Sequence, residues 1–76
     1  MVVEHATDIV LKSARIVGHQ QRLVKELKAE GLDTTEAEHL LAFFVTSHLM
    51  FERCLTKALK EREEAAARQA QNLAAG

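Results

Sequence analysis

Seventy-six residues with ten Lys and Arg against eleven Asp and Glu, a net charge of −1, one cysteine and 47% apolar content set narrow limits. A chain this short makes one small domain that usually needs a staple; a lone Cys54 excludes an internal disulfide and no Cys/His group has zinc-finger spacing, which leaves oligomerisation. The balanced charge argues against a protein built to grip nucleic acid or an anionic membrane, and no apolar run reaches the roughly 18–20 residues that span a bilayer.

The chain opens without a basic, apolar leader pattern: Met1–Asp8 carries Glu4, His5 and Asp8, so no signal peptide is expected. With one cysteine the expected setting is cytoplasmic. Proline is absent, and Ala, Leu, Glu, Lys, Arg and Gln dominate, a composition that favours helix.

The first predicted helix runs from about residue 4 to residue 30. At about 100° per residue, one arc holds Ile9, Val10, Ile16, Val17, Leu23, Val24 and Leu27, and the opposite arc holds Asp8, Lys12, Arg15, His19, Arg22 and Glu26. This is an amphipathic helix with one buried face. Ser13 and Gln20 interrupt the apolar arc.

A turn is predicted at residues 31–33. Gly31 stands where a helix ends in the left-handed conformation, and Leu32 after it can contact Leu27 in a Schellman arrangement. Asp33, or Thr34 beside it, caps the next helix, with Glu36 three residues after Asp33 as in a capping box. So short a connection makes the two helices antiparallel neighbours.

The second predicted helix covers about residues 34–71, with a fraying Ala-rich tail over 60–76. Ala37, Leu41, Phe44, His48, Phe51, Leu55 and Ala58 alternate steps of four and three, a heptad seam. Phe43, Met50 and Cys54 lie on one shoulder and Ala42, Val45 and Leu49 on the other, so the Leu40–Phe51 stretch is apolar nearly all round. One neighbouring helix covers only one side of it. The expected architecture is therefore an all-α antiparallel two-helix hairpin that dimerises into a four-helix bundle, with Phe43, Val45, Leu49, Met50 and Cys54 facing the partner.

His48 occupies a seam position. Threading the hairpin about Gly31–Asp33 puts it near Val17, so that Ser13, Gln20, Ser47 and His48 make a polar core layer of the kind that fixes register. On that reading His48→Leu raises stability and loosens assembly specificity. A metal- or ligand-binding reading of His48 and Glu52, four residues apart, is weaker, because any helix with His and Glu produces such pairs. Arg53, Lys57 and Lys60 form a basic stripe that complements a helix C-terminus. No nucleophile–base–orienter set and no Gly-rich phosphate loop is expected. The sequence reads as non-catalytic and without a cofactor or metal. Its partner is a second copy or another helical protein, as in a small antitoxin-like or chaperone-like subunit, not nucleic acid or membrane.

The stretch Gly31-Leu32-Asp33-Thr34-Thr35-Glu36-Ala37-Glu38-His39-Leu40-Leu41-Ala42-Phe43-Phe44, preceded by Ile16-Val17-Gly18-His19-Gln20-Gln21-Arg22-Leu23-Val24, resembles a group of small, mostly uncharacterised helical-hairpin proteins of alphaproteobacteria. These carry a Gly-x-Asp-Thr-x-x-Ala-x-x-Leu-Leu-x-x-Phe pattern between two helices. The resemblance covers roughly residues 14–52 and implies the hairpin fold without implying an activity. Val45, Met50 and Phe51 depart from it, standing where that group tends to be more polar.

Overall fold

The computed structural model describes residues 3–75. It is an all-helical hairpin of α1 (Val3–Ala29) and α2 (Thr35–Ala75), packed antiparallel along one seam. The second helix, predicted to end at about residue 71, continues to Ala75. Its Ala-rich tail has the propensity to extend a helix that is already nucleated.

The turn follows from the glycine. Gly31 adopts φ 72°; its N–H donates to the Lys28 carbonyl at 3.1 Å and the Leu32 N–H to the Leu27 carbonyl at 2.9 Å, the paired bonds of a Schellman motif. A Cβ on Gly31 would meet nothing within 4 Å, so only backbone strain opposes a side chain there. Gly31→Ala is expected to cost about 1 kcal/mol, read as a lower urea midpoint with unchanged helix content in the folded state.

Asp33 starts α2. Its Oδ1 accepts from the Thr35 hydroxyl at 2.7 Å and from the Thr35 N–H at 3.0 Å. The reciprocal bond of a capping box, in which the Asp33 N–H donates to the Glu36 side chain, does not form among the described residues. These bonds, the hydroxyl's first and the backbone N–H second, hold the exposed Asp33 carboxyl below the usual carboxylate range. A carboxylate lowered in the folded state contributes stability above its unfolded pKa, and this is lost as pH falls through its folded pKa. The native chain's urea midpoint is therefore expected to fall as the pH drops below about 4, and Asp33→Asn to flatten that fall.

Three residues of α1 are buried: Ala6, Ser13 and Val24. With half-buried Gln20 they form the line that faces α2. Small and polar residues thus occupy the contact line, and the large apolar side chains of the predicted arc fall to its flanks. Ile9, Val10, Val17 and Leu27 are half-buried, and Ile16 and Leu23 are exposed. On α2 the predicted seam is half-buried at Ala37, Leu41, Phe44, His48, Leu55 and Ala58, and Phe51 is 37% exposed at its edge. Lys28–Glu38 at 3.1 Å ties the helices beside the turn. Arg62–Glu4 at 3.6 Å ties them at the other end, beyond which α2 overhangs by about 20 Å at 1.5 Å per residue.

Candidate functional site

Three side chains from the two helices form a continuous polar chain in the seam. Ser13 Oγ lies 2.6 Å from His48 Nδ1 and 2.9 Å from the Val10 carbonyl oxygen. His48 Nε2 contacts Glu52 Oε1, one turn further along α2. Ser13 is buried, the His48 side chain is 18% exposed and that of Glu52 is 49% exposed, so the chain leads from the interior to solvent.

The expected polar layer is only partly assembled. Ser13 and His48 meet, but Gln20 instead donates to the Ala37 carbonyl at 2.9 Å, close to the turn, and Ser47 faces an apolar groove. His48 pairs with Ser13 rather than with the Val17 level, one helical turn away. The cause lies in Leu32–Thr34, which are not helical. Residues that are not helical do not advance by the helical rise of about 1.5 Å, so equal counting on either side of the turn does not give the register.

Ser13, His48 and Glu52 also form a nucleophile–base–carboxylate sequence that was not expected. Its proton inventory is definite. With a proton on Nε2 toward Glu52, neutral His48 accepts at Nδ1 from the Ser13 hydroxyl. With both ring nitrogens protonated, Nδ1–H donates to Ser13 Oγ and the Ser13 proton turns to the Val10 carbonyl. Acyl transfer further needs N–H donors aimed at a developing oxyanion. Ser13 sits mid-helix in α1, where the neighbouring N–H groups already bond carbonyls within the helix. The geometry supplies a joint between helices and no oxyanion site.

Around this chain the two broad sides of the hairpin differ. One carries a groove of about 310 Å³ lined by Ser13, Ile16, Phe43, Phe44, Ser47 and Phe51. Phe43 and Phe44 stand edge-to-face, ring centroids 6.0 Å apart at 64°. The other side carries grooves lined by Arg22, Lys25 and Lys28 near the turn and by Arg53, Lys57 and Lys60 further along α2, with Leu49 and Glu52.

This division splits the residues expected to face one partner. Phe43, Met50 and the exposed Cys54 share one shoulder of α2, whereas Leu49 borders the cationic side and Val45 is half-buried. Six residues separate Phe43 from Leu49, about 240° around the helix, so the two lie on different sides of α2. The sequence reading missed Ile16 and Leu23 as surface residues by assigning the whole arc to the core. Their seven-residue spacing, shared with Ile9, was the available signal.

Among the described residues no three His, Cys, Asp or Glu side chains converge to hold a metal ion. No helix among them is long and apolar enough to cross a membrane. No protein-family model, curated protein or solved structure matches the chain.

Proposed function

We propose that this chain is a non-catalytic interaction module that acts as a homodimeric helical bundle in a reducing, cytoplasmic setting. The observation that carries the reading is surface. The chain exposes 6171 Å² at 8.5 kDa, where a compact monomer of that mass exposes about 4,700 Å². Its radius of gyration of 19.2 Å for 76 residues compares with about 11 Å for a compact domain of that length.

The excess of about 1,500 Å² per chain is what each subunit of an obligate homodimer covers. It is also the wrong surface to leave in water: Ile16, Leu23, Leu40, Phe43 and Met50 are all exposed. Against this, only Ala6 and Val24 are buried apolar residues among those described, and that core is too small to offset the conformational entropy of ordering two helices. Self-association supplies the missing burial. The balanced charge supports a protein partner over nucleic acid, and the unpaired Cys54 thiol suits a reducing compartment.

Sedimentation equilibrium at micromolar concentration is the test. The expected mass is twice 8.5 kDa, and a tenfold rise in concentration should raise the unfolding temperature by a few degrees, the shift that about 1.4 kcal/mol of mass action produces. A stable, folded monomer whose melting is independent of concentration would overturn the proposal.

A further inference from the structure

We propose that the second copy seats on one particular surface: the broad apolar side built jointly by α1 and α2, the same surface meeting itself across a two-fold axis. This rests on the homodimer reading and adds which face forms the contact. From α1 come Ile9, Ile16 and Leu23, set along the flank at heptad spacing because Ala6, Ser13 and Gln20 take the line toward α2. From α2 come Leu40, Phe43 and Phe51, with Met50 and Cys54 at the edge. The groove of about 310 Å³ in which Ile16 meets Phe43, Phe44 and Phe51 shows that the two helices present these residues on one side.

Charge selects this side over the other. No ionisable side chain lines the apolar groove. The grooves of the opposite side are lined by Arg22, Lys25, Lys28, Arg53, Lys57 and Lys60, with Glu52 as their one carboxylate. Pressing two cationic sides together would set like charges against each other as they lose water, which excludes a second copy from that side. Pressing the apolar grooves together removes aromatic and aliphatic surface from water at no such cost, while Lys57 and Glu61 beside Cys54 stay at the rim. Ser47 supports the same choice. Half-buried at the middle of this face, it makes no side-chain hydrogen bond among the described residues, unlike Thr46, whose hydroxyl bonds the Ala42 carbonyl at 2.9 Å. A small residue there lets two helices approach closely and leaves a hydroxyl for the partner.

The chain has no Trp and no Tyr, so one introduced indole reports cleanly. Phe43→Trp and Leu49→Trp are compared by acrylamide quenching in the full chain, at a concentration where sedimentation gives a dimer. In the single chain Phe43 is the more exposed of the two, 66% against 53%. In the dimer Phe43→Trp should be quenched several-fold less than Leu49→Trp, and Leu23→Trp, read from α1, should be protected as well. A dimer in which Leu49→Trp is the protected one, or in which Phe43→Trp and Leu23→Trp stay open, overturns the choice of face while leaving self-association standing. A monomer in the native chain overturns the homodimer reading itself.

Discussion

Phe43→Glu is expected to weaken self-association by on the order of 1,000-fold, while Leu49→Glu changes it by only a few-fold. A central aromatic anchor contributes about 2 kcal/mol or more to an interface, and a homodimer loses it in both subunits, so the two losses together approach about 4 kcal/mol. The substituted carboxylate adds to this, because it would be desolvated at a groove lined by no ionisable side chain. The single chain is little affected, since Phe43 is 66% exposed there. At micromolar concentration Phe43→Glu should sediment as monomer. Because the hairpin's own core is so small, its helical circular dichroism should fall with dilution far sooner than that of the native chain. Leu49→Glu places the same charge beside Arg53 and Lys57, where it is solvated and favourably placed, and its mass should stay that of the native chain. Equal effects from the two substitutions would mean that neither side of α2 is special.

The contrast between these two leucine- and phenylalanine-bearing shoulders shows what the sequence could and could not convey. Helix, turn and pairing direction are local properties. Gly31, Leu32 and Asp33 encode them through φ, the Schellman bonds and the cap, and the heptad steps from Ala37 to Ala58 mark the side of α2 that meets α1. The division of the remaining apolar residues is not local. It depends on which line of α1 faces α2, and that line runs through Ala6, Ser13, Gln20 and Val24, which leaves Ile16 and Leu23 of the apolar arc outside it. The register is similarly hidden. Counting residues about the turn assumes equal helical rise on both sides, and Leu32–Thr34 are not helical. The Ser13–His48 contact lies one turn from the level that counting gives, so its partners could be named from the sequence only as neighbours in a layer. Glu52 was visible as a helical neighbour of His48, and its place in a chain continuing to Ser13 needed the register.

The Ser13–His48 contact should show strong asymmetry when its two members are removed singly. Ser13→Ala removes the group that, among the described residues, lies within hydrogen-bond distance of Nδ1, and leaves a ring nitrogen facing the seam. An unpaired buried polar atom costs about 1–3 kcal/mol. His48→Leu leaves nothing stranded: the Ser13 hydroxyl keeps the Val10 carbonyl at 2.9 Å, and Glu52, half-exposed, returns to water. Replacing a polar seam residue with an apolar one of similar size is then neutral or stabilising by about 1 kcal/mol. With Leu at position 48, Ser13→Ala should cost little, so the double-mutant cycle should give a coupling of about 1–2 kcal/mol. Urea unfolding of the four chains at one fixed concentration measures it. Additive losses would mean that Ser13 stabilises α1 by itself and that His48 is an ordinary packing residue. If the contact sets register, His48→Leu should in addition broaden the sedimentation profile into more than one assembled species. An apolar side chain at that position accepts neighbours one turn away as readily as Ser13, whereas the imidazole satisfies both its nitrogens only where Ser13 and Glu52 lie on either side of it.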